Sequence, residues 1–172
     1  INNATLTFSA TVSGGAWQVN GANLSSLAQG ALLLSVVAED AAGNEATATD
    51  SIVYDPVAQL VADIATDAGS TFNAAEVDDI DFSGSVIDVE SGRDVTITLS
   101  DSGGNSVDGT ATIAADGTWL LADVDLSGLN DGPVTLQANT TDEAGNPAVQ
   151  TASFVKDTQA QLTAEFVDEQ VP

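Results

Sequence analysis

The sequence predicts an all-β protein built from small two-layered sandwiches repeated in tandem. Three observations carry that prediction. Apolar residues alternate with polar ones in short runs instead of recurring at helical spacing. Asp-Gly, Gly-Gly and Gly-Asn pairs, which tolerate the positive φ of tight turns, punctuate those runs. The chain also repeats itself at a fixed offset. Trp17 answers Trp119, Gly30 answers Gly132, Asp40 answers Asp142, and Gly43-Asn44 answers Gly145-Asn146, each pair 102 positions apart.

The same register continues to Val53 and Asp55, which match Val155 and Asp157, and Ala58-Gln59-Leu60 recurs as Ala160-Gln161-Leu162. An offset of about a hundred residues is too long for a solenoid unit and has the length of an autonomous domain. Residues 1–55 are therefore expected to be the C-terminal half of a first repeat, 56–157 a complete repeat, and 158–172 the first strand of a third. On this reading the chain starts and stops inside repeats. Half a sandwich has an open apolar face and needs a partner to close it.

Residues 3–12 alternate as a strand, and Ser13-Gly14-Gly15 turns it. Ala10-Thr11-Val12 parallels Ala111-Thr112-Ile113 at an offset of 101, so one residue is lost in the turn before Trp17. Turns tolerate such changes and strands do not. In the complete repeat, Leu60, Ala62 and Ile64 line one face of a first strand. Ile80, Phe82 and Val86 line a second, with Gly84 between them. Val95, Ile97 and Leu99 line a third, Ala111 and Ile113 belong to a fourth, and Trp119 and Leu121 to a fifth. Val134, Leu136 and Ala138 line a sixth, and residues 149–155 give a seventh. Residues 73–77 suit a short helical turn. Leu162, Ala164 and Phe166 restart the pattern in the third repeat. About seven short strands in one such unit is the pattern of an immunoglobulin-like β-sandwich.

Hydrophobic residues make up 43% of the chain, enough for a packed core. Charge is far from ordinary: 26 acidic residues face two basic ones, Arg93 and Lys156, for a net −24. Such a chain does not bind nucleic acid or anionic membrane, since both require Lys and Arg to displace counterions. No apolar run reaches the length of a membrane span. With neither Cys nor His there is no disulfide, no thiolate or imidazole metal site and no Ser-His or Cys-His nucleophile pair. No enzyme is expected. Trp17 and Trp119 open alternating strands and are expected as core anchors, not sugar platforms. Lys156 and alternate charges suit a guarded sheet edge, and residues 76–81 a solvated one.

The G-T-W hairpin at 117–119, the L-S-x-L-x-x-G turn, the D-x-A-G-N loop and an Asp closing each repeat occur together. In combination they resemble the bacterial immunoglobulin-like extender repeats of giant type I-secreted (RTX-type) surface adhesins. The resemblance implies an extracellular rod at the bacterial cell surface, made of neighbouring repeats of one chain. It also implies Ca²⁺ at the domain junctions, stiffening the rod, and a distal domain, not this fragment, that binds the adhesive ligand. The RTX nonapeptide repeat, G-G-x-G-x-D-x-U-x, is missing here.

Clustered carboxylates need a cation or a proton, and without His or Cys the cation is an oxygen-loving one. An immunoglobulin-type sandwich places its BC and FG loops at the end where the chain enters. Here those loops are 88–94 and 142–146, beside the linker at Asp55. Asp55, Asp88, Glu90, Asp142 and Glu143 are therefore candidate metal ligands at the first joint, with Asp94 nearby. Asp157 takes the place of Asp55 at the second. Ca²⁺, which accepts six to eight oxygens in a flexible cage, suits such a set better than Mg²⁺. Asp in D-G and D-x-A-G-N contexts is also a turn former that bonds its own backbone. A module that grips a sugar, a surface or a protein directly is the alternative function.

Overall fold

Which strands form follows from which pairing partners are present. The computed structural model describes residues 4–61 and 65–163, in two units, Ile1–Pro56 and Val57–Pro172. Among the described residues of the first unit, β1 (Gly30–Glu39) and β2 (Glu45–Tyr54) form a hairpin. The second unit carries β3 (Gln59–Leu60), β4 (Ala65–Thr66), β5 (Thr71–Phe72), β6 (Ile80–Ile87) and β7 (Asp94–Asp101). It continues with β8 (Ser106–Thr112), β9 (Thr118–Val124), β10 (Gly132–Thr141) and β11 (Pro147–Lys156).

The second unit is an immunoglobulin-like sandwich. One sheet has the order β5-β11-β10-β7-β8, in which β5 runs parallel to β11 and the other pairs are antiparallel. In the other, β6 pairs with β9 along one side and with β3 and β4 along the other. β8 and β9 belong to different sheets, so the turn at Gly117 carries the chain across the sandwich. Ala62 and Ile64, expected in the first strand, lie outside the described residues. So do Ala164 and Phe166, and the described residues 158–163 form no strand.

Period-two alternation places the core as expected. Ile80, Phe82, Val95, Ile97, Leu99, Val134, Leu136 and Ala138 point inward and are buried, with Trp119 over them. Phe72, Phe82 and Phe154 form an aromatic cluster with ring centroids 5.3 to 6.1 Å apart. Residues 73–77 make one capped turn. Asn73 Oδ1 accepts from Ala75 N, Glu76 reaches back to Asn73 N, and Val77 N donates to Asn73 O, which tucks Val77 into the core.

Two expectations are corrected in the second unit. Lys156 is not an edge charge. It falls on the inward face of β11 and is buried, donating from Nζ to the carbonyls of Ser127 and Leu129, 4.0 Å from Asp131. Residues 76–81 are not simply solvated either. Asp81 Oδ1 accepts from Asp123 N across the bulge between β6 and β9, and Asp123 adopts a positive φ of 56° there. A hydrogen bond shared with Asp123, and that residue's charge, raise the Asp79 carboxyl above its ordinary range.

Gly84 is needed for close approach. A Cβ at this position would lie 2.6 Å from the Trp119 ring, which stacks on the bare backbone. Gly84→Ala is expected to cost about 1–3 kcal/mol in a urea melt, the range for forcing an extra methyl into a packed core.

In the first unit, residues 4–12 are not a strand, and Trp17, expected as a core anchor, is instead 47% exposed because no facing sheet among the described residues covers it. The counterpart of residues 4–12, β8, pairs with β7, and the described residues of the first unit include no strand equivalent to β7.

Candidate functional site

At the end of the second unit where residues 88–93 and 142–146 lie, three hydrogen bonds tie together these loops and the adjoining ends of β7 and β10. Arg93 Nε donates to Thr141 O, Thr140 Oγ1 donates 2.8 Å to Asp94 O, and Glu143 N donates 2.9 Å to Glu90 Oε2. Glu90 and Glu143 are thus brought together through the Glu143 backbone amide. Asp88 is exposed and holds a positive φ of 57°, and Asp94 accepts from Thr112 Oγ1 at 3.2 Å.

Asp142 faces its own loop. It is 1% exposed, and its two oxygens accept from Asn146 N and Asn146 Nδ2, both at 2.7 Å. Burial pushes its carboxyl up, but bonds from Asn146, Gly145 and Ala144 outweigh this and hold it below the ordinary range. Asp55 accepts from Gln29 Nε2 at 3.1 Å, and Asp157 donates its N–H to Phe72 O at 2.9 Å. Among the described residues, no group of three or more His, Cys, Asp or Glu side chains is arranged to hold a metal ion.

The loop around Asp142 is one of three built alike. Asp40 and Asn44 repeat it in the first unit: Asn44 N and Nδ2 bond the carboxylate at 2.9 and 2.8 Å, and Gly43 has φ +87°. The third, D-S-G-G-N at 101–105, was not evident from the sequence because Gly103 stands where D-x-A-G-N has Ala. The Asp-to-Asn spacing and the Gly before Asn were the signal. Asp101 Oδ1 accepts from Gly103 N at 2.8 Å and Asn105 N at 3.0 Å. Its Oδ2 accepts from Asn105 Nδ2 and from Asn130 N, each at 2.7 Å. The last bond reaches out of the hairpin to the loop between β9 and β10, so one carboxylate ties two loops together.

A comparison with solved structures fits this architecture. The chain is similar to a tetra-tandem repeat from the extending region of a large adhesion protein, with 32% identity and a TM-score of 0.53. The match covers 86% of this chain and 37% of that one. In sequence and in fold, the chain resembles an adhesin extender repeat. It is also similar to a structure from a 1.5-MDa bacterial ice-binding adhesin, at 25% identity over 80% of this chain and 44% of that one, TM-score 0.44. A third is a Ca²⁺-stabilized ice-binding adhesin of an Antarctic bacterium, at 28% identity over 77% and 33%, TM-score 0.37. The extender-like chain spans less than half the length of each of these structures. No family model and no curated protein matches it.

Proposed function

We propose that this extender-like chain is a mechanical spacer of a bacterial cell-surface adhesin. Its repeats follow one another in a rod whose joints bind Ca²⁺ and whose far end carries the ligand-binding domain. The observation that carries this reading is the likeness to an extending-region repeat, joined to the chain's own repetition at an offset of 102. The repeated hairpin supports it. β1 and β2 match β10 and β11 in all ten cross-strand pairs, from Gly30↔Tyr54 against Gly132↔Lys156 to Glu39↔Glu45 against Thr141↔Pro147.

Exposed Asp88 and Glu90, with Glu143 hydrogen-bonded to Glu90, offer carboxylates at one end of the complete repeat. Asp142 contributes by shaping the loop that presents Glu143, since its own oxygens are taken by Asn146. Those loops alone fall short of the six to eight oxygens Ca²⁺ takes. The remainder come from the linker carboxylate Asp55 at the joint before the complete repeat, together with backbone carbonyls and water; Asp157 takes the place of Asp55 at the joint after it. The ion offsets like charges that otherwise repel, and so sets the reach and stiffness of the rod.

Thermal melts and X-ray scattering of the same samples, with Ca²⁺ and with chelator, test this reading. Ca²⁺ is expected to raise the melting midpoint and to give a longer, stiffer particle. Asp55→Ala is expected to abolish the change in shape while leaving the melt of the complete repeat intact. A particle of unchanged shape in Ca²⁺ would reduce the joints to passive linkers.

A further inference from the structure

The first unit contains the sequence of four strands but forms only the two that can pair with each other. Residues 5–11 and 16–22 correspond to β8 and β9, and neither stretch is a strand apart from a lone bridge between Ser13 and Ala16. In the second unit β8 pairs with β7, β9 pairs with β6, and β10 pairs with β7. β11 pairs with β5 as well, so the pairings missing among the described residues of the first unit are supplied in the second by β5, β6 or β7, within residues 57–101.

The inward face tells the same story. Val12, Trp17, Leu34 and Ile52 are 59, 47, 44 and 47% exposed, whereas their counterparts Ile113, Trp119, Leu136 and Phe154 are at most 8% exposed. Identical cross-strand register in the two hairpins means that the side chains are displayed in the same order. What differs is the cover.

We infer that residues 5–11 and 16–22 become strands on binding a segment built like residues 57–101, which the apolar face of β1 and β2 is shaped to receive. The occupant is defined by the interface that the second unit already displays. Phe82 and Val86 on β6, in the opposite sheet, cover β10 and β11, while Val95, Ile97 and Leu99 on β7 extend the apolar face beside β10. A matching segment would bring to the first unit the same two edges and the same apolar layer. Segments without a core of their own order themselves as that layer is buried. The inference does not depend on Ca²⁺ or on the spacer function.

The test joins a second copy of residues 57–101 directly ahead of Ile1 in the full 172-residue chain, since Ile1 aligns with Ser102 at the offset of 101. Amide hydrogen exchange is followed in residues 5–11 and 16–22, with β7 of the original complete repeat as internal reference. Extension is expected to slow exchange in both stretches on the order of a hundredfold, and to shield Trp17 from acrylamide. The same extension carrying Phe82→Asp and Ile97→Asp in the added copy is expected to restore the fast exchange of the parent. Equal exchange in the parent and the extended chain would overturn the inference. So would a parent already protected in these stretches through a concentration-dependent dimer, because the occupant would then be a second first-unit face.

Discussion

Asp101→Ala is expected to lower the melting temperature of the complete repeat by roughly 10 °C, because several N–H groups lose their shared, buried, charged acceptor together. Four N–H groups converge on this carboxylate, from Gly103, Asn105 twice, and Asn130. Removing it leaves the β7–β8 hairpin and the loop after β9 without their common tie. Asp101→Asn keeps the shape but turns an N–H donor towards other donors, so it is expected to fall close to the alanine variant. Asp108→Ala, an exposed change on β8 that loses one bond from Thr98, serves as the mild control. The carboxylate also sets an acid response. Bonds from the Asn105 side chain, Asn130 N and the hairpin amides depress its folded-state pKa far below the usual carboxylate range, against the effect of burial. The stabilisation is therefore complete above the unfolded-state value of about 3.9 and is lost as pH falls below it. Melts between pH 5 and pH 2 should show a steeper decline for the parent than for Asp101→Asn.

Trp119→Ala is expected to cost about 3–5 kcal/mol, and Trp17→Ala well under 1 kcal/mol, although the two residues hold equivalent places in the repeat. Trp119 is 3% exposed and stacks on Gly84, whereas Trp17 is 47% exposed. Among the described residues the buried Trp119 Nε1 has no hydrogen-bond partner. Trp119→Phe therefore removes an unsatisfied donor along with some volume, and should cost clearly less than alanine. Urea denaturation followed by far-ultraviolet circular dichroism measures all three variants on one scale. Equal losses at Trp17 and Trp119 would mean that the two faces are covered alike.

Much of this was legible in the sequence because the fold obeys a period of two. The inward faces of β6, β7 and β10 follow from alternation alone, since one sheet face is buried and the other is not. Lys156 was misread because charge suggested an edge, while its register, two residues on from Phe154, put it on the buried face. No alternation rule reveals that two backbone carbonyls wait there to receive an ammonium. The loop at 101–105 was missed because its identity lies in a spacing, Asp to Asn with Gly between, and not in a string of residues. Strand formation in residues 5–11 and 16–22 was overestimated for a further reason. Alternation reports the capacity to form a strand, whereas pairing decides whether one exists.

The burial of Lys156 has a chemical consequence. A protease that cuts after basic residues has two bonds to choose from in this chain, those following Arg93 and Lys156. The first residue has its guanidinium bonded to the Thr141 carbonyl, and the second is held inside the sandwich. Cleavage at Lys156 must wait for the repeat to open, so its rate follows the stability of the fold. For the same reason an amine-directed crosslinker meets no lysine at the surface. What the folded chain shows its surroundings is carboxylate, with little for either reagent to grasp.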